Sequence, residues 1–283
     1  MKKTSTIFCI IIFFIGLSLL LYPLISNWIN EKKQLSAINE YEKNFENLGN
    51  EEYEKILENA QKYNEDLLND YQTTFDDTNR YNSQLITRNS NIMGYIEIEK
   101  LNLRIPIYHG TSDSTLQSGI GHMMGSSIPI GGQGTHSVLF GHSGLPTSKL
   151  FSNLDKMKVG EQFCIHVLKE RLYYEAEEII VIEPEELVEY LKINREKDQV
   201  TLVTCTPYGI NTHRLLIIGN RTDKDVQSMD VSNIIDRDDQ KLSSVNFVLV
   251  VIVSVLIIFI SVTVLIIRYR NLGYIFVNRK KKR

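Results

Sequence analysis

The chain has 283 residues, 43% of them hydrophobic and 23% charged, with a formal net charge of −3. That near-neutral total conceals a division. Residues 1–25 and 268–283 together hold nine Lys or Arg and no acid, and taking those nine from the 31 leaves 22 basic against 34 acidic residues between them, a net of −12. An acidic middle with no basic stripe excludes a nucleic-acid surface, and two long charge-free runs exclude a chain that is soluble throughout.

Residues 7–25 (IFCIIIFFIGLSLLLYPLI) carry no charge and follow Lys2 and Lys3, as in a signal peptide or an uncleaved anchor. No pair of small residues spaced like a cleavage site occurs around Pro23 to Trp28, so residues 1–27 are read as an N-terminal membrane anchor. In residues 28–90, Leu35, Ile38, Tyr41, Phe45 and Leu48 recur at helical spacing, then Tyr53, Ile56, Leu57, Ala60, Tyr63 and Leu67, with Gly49 and Asn50 interrupting. The spacing predicts two helices that rise from the membrane and lay one apolar stripe on a domain. A solvated stalk is the alternative.

From Gly94 the character changes to short runs punctuated by Gly, Pro and Asn: GYIEI, LRIPIYHG, HSVLFGH, QFCIHV, RLYYEAEEIIVI, QVTLVTC and HRLLIIGNR. Only EPEELVEYL and the stretch from Ser148 to Leu154 look helical between them. The pattern predicts an all-β barrel or sandwich over residues 91–222. Residues 223–244 read as a polar tether, residues 245–267 as a second transmembrane helix, and residues 268–283 as a basic tail. Because basic flanks stay in the cytoplasm, both termini are expected inside and residues 26–244 outside.

Chemistry-bearing residues concentrate at strand ends. Cys205 closes QVTLVTC before the turn-forming Thr-Pro-Tyr-Gly, which leaves its thiol at a strand end beside a loop, whereas Cys164 lies mid-strand in QFCIHV. Cys9 sits in the first span; a Cys164–Cys205 disulfide is left open by the sequence. Nine residues past Cys205, Arg214 opens the returning strand and puts a permanent guanidinium near the thiol, a group that favours a thiolate and donates to an oxyanion. On its own, a surface arginine is the simpler reading.

His142 ends HSVLFGH and projects from a strand end as Cys205 does, although spacing cannot prove that the two meet. His213 is the rival base, but strand alternation sends it to the face opposite Arg214. No C-x-x-C, H-E-x-x-H or i, i+4 His pair is present, so a metal site of the usual spacing is not expected. Gly131, Gly132 and Gly134 lack the context of a phosphate loop and read as turn glycines.

TLVTC at residues 201–205 resembles the TLxTC signature of sortases, and TCTPYGINTHRLLIIGNR is similar to the class C, pilin-assembling branch. MGYIEIEKLNLRIPIYHGTS, GHMMGSSIPIGG and HSVLFGHSGLPTSKLFSNLDKMKVG extend the resemblance over residues 91–222. It implies an eight-stranded sortase-type β-barrel with no metal or organic cofactor, to which the apolar spacing and charge-free runs add N-terminal helices and two transmembrane helices. It also implies that Cys205 is the nucleophile, His142 the acid/base and Arg214 the oxyanion or substrate stabiliser.

The implied partners are pilin subunits or surface proteins bearing an LPxTG-like sorting signal. The thioester formed on Cys205 would pass to a Lys amine of a pilin or to a cell-wall amine. One departure from the branch is that residues 66–82 (DLLNDYQTTFDDTNRYN) hold no Asp-Pro-aromatic lid motif, with Asp70-Tyr71 or Phe75-Asp76 as candidate substitutes.

Overall fold

A computed structural model describes residues 2–87, 90–143 and 145–223. The expected tether, second span and basic tail lie outside these residues, apart from Asp223. The charge-free run and the first amphipathic stretch form one helix, α1 (Lys2–Glu46), with Pro23 inside it. After a break at Asn47–Gly49 comes α2 (Asn50–Asn69), whose first turn carries Glu51 and Glu52, charges that suit the positive end of a helix dipole. Two short helices, α3 (Tyr71–Asp76) and α4 (Thr78–Asn82), lead into the barrel, the latter capped by Asp77 accepting from the Arg80 amide.

Eight strands follow: β1 (Ile92–Ile98), β2 (Leu103–His109), β3 (Ile120–His122), β4 (Thr135–Phe140), β5 (Gln162–Val167), β6 (Glu170–Ile182), β7 (Asp198–Thr206) and β8 (His213–Arg221). They close into a barrel in the order β1-β2-β3-β4-β7-β8-β6-β5, parallel at β2–β3 and β4–β7 and antiparallel elsewhere. The architecture is the expected eight-stranded sortase-type barrel with N-terminal helices. Seven strands coincide with the seven sequence runs. The eighth, β3, has only three residues, too few to display a period, and is preceded by a short helix α5 (Asp113–Ser118). Ser148 to Leu154 is not helical: the chain turns there, with Leu150 at φ 32°, and a single 3-10 turn follows at Leu154–Lys156. EPEELVEYL forms a 3-10 helix over Pro184–Leu191, started by Pro184 and a capping box between Glu183 and Glu186.

Alternation along the strands gives the barrel wall two apolar sides. Leu139, Leu202, Leu215 and Ile217 join the main core with Ile96, Ile105 and Phe163, while Val138, Val203, Leu216 and Ile182 form a second cluster covered by Leu187 and Leu191 of the 3-10 helix. The N-terminal helices are not a solvated stalk. Ile38, Tyr41 and Phe45 of α1 and Ala60, Tyr63 and Leu67 of α2 are buried against the barrel. Polar side chains fix the docking: the Tyr41 hydroxyl donates to the Met93 carbonyl at 3.2 Å and accepts from the Leu168 amide at 2.8 Å. The Asn64 amide bonds both backbone groups of Ile128, at 2.7 and 3.0 Å.

Tyr81 of α4 ties the same segment to β3. Its hydroxyl accepts from the Gly110 amide at 2.9 Å and lies 3.0 Å from Nδ1 of His122 and 2.8 Å from the His122 carbonyl. Nε2 of His122 is 2.8 Å from the Ser127 carbonyl, an acceptor only, so Nε2 carries the proton and Nδ1 is free to accept. Burial pushes this fully enclosed imidazole down to about 4, and it lowers His109 and His136 too.

A base whose folded pKa lies below its unfolded value leaves the unfolded chain binding more protons between the two, so stability falls as pH drops through that interval. Denaturant unfolding of the soluble portion at constant ionic strength is therefore expected to show stability declining from about pH 6.5 towards pH 4, with His122 alone contributing about 3 kcal/mol at most. A flat profile across that interval would contradict a neutral, enclosed His122.

Candidate active site

The three candidate residues come from three adjoining strands. In the antiparallel pair β7–β8, Cys205 stands directly opposite Arg214, and the preceding pairs on the same side are Val203–Leu216 and Thr201–Ile218. Directly opposed residues share a face with their Cβ atoms about 5 Å apart, so the thiol and the arginine stem leave the sheet side by side.

On the other flank, β4 runs parallel to β7 in the register Val138–Thr201 and Phe140–Val203. The named strand stops at Phe140, two residues earlier than the sequence run suggested, but two further bonds prolong the pairing. The Gly141 amide donates to the Val203 carbonyl at 3.0 Å, and the Thr204 hydroxyl donates to the Gly141 carbonyl at 2.7 Å. The same step brings His142 level with Cys205 across a strand spacing of about 4.8 Å.

Cys205 and Arg214 thus form one rank across β7 and β8, and His142 follows two residues past the end of the adjoining β4. All three are half-buried. Beneath them lies a rank of Phe140, Val203 and Leu216, of which the last two are fully buried. The apolar rank fixes the polar one, because slipping β7 or β8 by one residue would move Val203 or Leu216 out of the cluster under the 3-10 helix and send the functional side chain to the other face of the wall.

Local structure holds each backbone. The His142 carbonyl accepts from the Phe151 amide at 3.1 Å, and the Phe151 ring packs so close to Gly141 that a Cβ there would sit 2.4 Å from its Cδ2. Only glycine fits at that position. Past Cys205 the chain turns through Pro207–Thr212, where Gly209 and Asn211 take φ of 77° and 61°. Nη1 of Arg214 donates to the Asn211 and His213 carbonyls at 3.3 and 3.1 Å, which pins the guanidinium at the base of this turn.

The other histidines are committed elsewhere. His213 opposes Thr206 on the face away from Arg214, with Nε2 3.0 Å from a Glu183 carboxylate oxygen and Nδ1 2.8 Å from the Thr212 hydroxyl. His136 is buried, its ring nitrogens 2.7 Å from the Thr201 hydroxyl and 3.1 Å from the Lys192 carbonyl. His166 stacks on Tyr95 at 4.2 Å and reaches Glu97 at 3.0 Å.

Cys164 and Cys205 are both free thiols, and they sit on strands β5 and β7 that do not adjoin. Burial pushes the Cys164 thiol up to about 12. Sequence reasoning passed over Thr204, the latch between the cysteine and histidine strands. Its only signal was its place inside TLVTC.

A sortase-domain family model matches residues 96–222, the stretch that contains this rank. The crystal structure of sortase C1 from Streptococcus agalactiae is 45% identical, covers 67% of this chain and all of that one, and superposes with a TM-score of 0.64. This chain belongs to the sortase family. Sortase C of Clostridium perfringens, solved with the C-terminal cell wall sorting motif, is 43% identical over 67% of this chain and 99% of that one, with a TM-score of 0.58. Sortase D of Bacillus subtilis is 27% identical over 131 residues, and the match spans 63% of that protein, just under two thirds. The two structural neighbours named here are class C sortases.

The two thiols of the barrel differ in exposure, Cys164 being buried and Cys205 half-buried. Brief alkylation of the native protein at pH 7, followed by peptide mass mapping, is expected to label Cys205 and spare Cys164, while denaturation makes Cys164 reactive as well. Equal native labelling of the two would contradict the burial of Cys164.

Proposed function

We propose that this sortase is a membrane-anchored cysteine transpeptidase. It would cleave an LPxTG-like sorting signal and transfer the acyl group to a Lys amine of a pilin subunit. The observation that carries the reading is the cross-strand pairing of Cys205 with Arg214, in line with His142. Cys205 attacks the carbonyl of the Thr-Gly peptide bond, and Arg214 donates to the oxygen as charge develops on it. His142 gives a proton to the departing amine and leaves a thioester on Cys205. The incoming amine attacks that thioester and loses a proton to His142 as the Cys205 thiolate is expelled, so His142 regains the proton it gave up and the proton count closes over the cycle. Splitting one hard amide exchange into two acyl transfers is what a covalent nucleophile provides.

The class C structural neighbours support the pilin-polymerising assignment. Attachment of surface proteins to the cell wall is the second reading, favoured by likeness to sortase A of Streptococcus agalactiae, 31% identical over 128 residues. An apolar α1 supports anchoring at the N-terminus, and the charge distribution supports two anchors with the barrel outside the cell. Such anchoring would raise the effective concentration of membrane-held substrates.

Mixing the protein with an LPxTG peptide and measuring its mass is expected to reveal an acyl adduct on Cys205 that is lost in Cys205→Ala; acylation that persists in Cys205→Ala would refute the assignment. Arg214→Lys keeps the charge but loses the planar fork, so kcat/KM is expected to fall about 100-fold, in line with loss of an oxyanion donor. With a pilin subunit as substrate, polymerase activity gives a covalent ladder that survives boiling in detergent. A single product with a cell-wall amine and no ladder would favour the second reading.

A further inference from the structure

The loop that begins at His142 is closed at its base by the Phe151 amide bonding back to the His142 carbonyl at 3.1 Å. Its far side is held from an unexpected direction. Asn30 Nδ2 donates to the Thr147 carbonyl at 2.8 Å, and Asn27 Nδ2 donates to the Pro146 carbonyl at 3.3 Å. Gln34 Nε2 reaches the Ser148 hydroxyl at 3.4 Å and the Ser118 carbonyl, beside β3, at 3.1 Å. Positions 27, 30 and 34 follow the i, i+3, i+7 rule, so the three amides line one face of α1 and grip three successive loop residues. Gln34 and Ser148 are 8% and 3% exposed, so the inner end of this clamp is shielded from water.

α1 is a single helix from Lys2 to Glu46, and its charge-free run ends at Ile25. At 1.5 Å of rise per residue the clamp begins about 3 Å, and ends about 14 Å, beyond that run along the helix axis. The Pro23 interruption lies on the apolar side of the clamp, so the helix between Asn27 and Gln34 keeps its own hydrogen bonds.

We propose that Asn27, Asn30 and Gln34 are positioning residues that lock the His142 loop to the anchor helix, so that full competence of the site requires the juxtamembrane turns of α1. This rests on the assignment of His142 as the acid/base group. The three amides touch no substrate. They act by holding residues 146–148, and through the closed loop they set where the imidazole stands relative to Cys205. A helix that carries both the anchor and the clamp also fixes the height of the site above the membrane, matched to a sorting signal that is itself held there.

The test uses the full chain in phosphatidylglycerol–phosphatidylcholine vesicles with an LPxTG peptide. Asn30→Asp and Gln34→Glu keep side-chain size but put carboxylate oxygens, which cannot donate, against the Thr147 and Ser118 carbonyls. In the double variant kcat for acylation is expected to fall about ten- to a hundredfold with KM within about twofold, since a small displacement of a reacting group costs rate more than binding. Hydrogen exchange at the Phe151 amide is expected to accelerate, while that of the Ile210 and Asn211 amides in the β7–β8 turn is unchanged. Asn27→Ala, which removes one exposed bond, gives a smaller change of the same sign and guards against a double variant that folds poorly. Wild-type kcat together with unchanged Phe151 exchange would overturn the clamp. His142→Ala that still acylates normally would instead sink the assignment of His142, and the exchange data judge the clamp independently of it.

Discussion

The structure depends on strand register across β4, β7 and β8. Cys205 and Arg214 stand opposite each other, with His142 two residues past the end of the neighbouring strand, because the apolar residues one step below them, Phe140, Val203 and Leu216, pack under the 3-10 helix Pro184–Leu191. Burying side chains of this size contributes roughly 1.5 to 3 kcal/mol each, and a one-residue slip would exchange the residues packed on the two apolar sides, so that neither side would be well filled. Register is therefore set by hydrophobic burial, and the functional rank inherits its precision. The polar bonds from Thr204 to Gly141 and from Phe151 to His142 then hold the backbone beyond the end of β4, where sheet pairing alone no longer does so.

A second consequence of the architecture is that the barrel is not an independent body set on a stalk. Tyr41, Asn64 and Tyr81 each insert a polar group among buried side chains and bond the barrel backbone there. Such bonds are worth little net but costly to leave unmade, so they specify one docking of the helices over others that would bury similar apolar area. The helix that carries the charge-free run is the same one whose amides reach the loop after His142. Within α1 the end of the charge-free run and those amides are thus only a few residues apart.

How legible this was in the sequence varied by element. Seven strands showed themselves by alternation or apolar runs, and the Gly49–Asn50 break separated α1 from α2. The face of His213 followed from counting by two, and the structure adds why it is unavailable, since Glu183 and Thr212 occupy its ring nitrogens. β3 escaped because three residues carry no period. Ser148 to Leu154 was expected to be helical, but the bond from α1 to Ser148 and the Phe151 contact at Gly141 hold it in an irregular loop. The meeting of His142 with Cys205 was beyond reach of spacing, because β4 and β7 are joined in parallel across the whole β5–β6 hairpin. Only the family resemblance joined those two residues before the fold did.

The central claim is that His142 stands beside Cys205 in a parallel pairing prolonged past Phe140. Replacing His142 with cysteine turns that adjacency into a covalent test, since a disulfide forms readily only when the two Cα atoms lie within about 7 Å. Mild oxidation of folded His142→Cys protein, read by mass mapping of a 142–205 cross-linked peptide and controlled with a Cys205→Ser partner, is expected to give that bridge in high yield. Folded protein that keeps both thiols free under oxidation, or that pairs position 142 with another cysteine, would contradict the account.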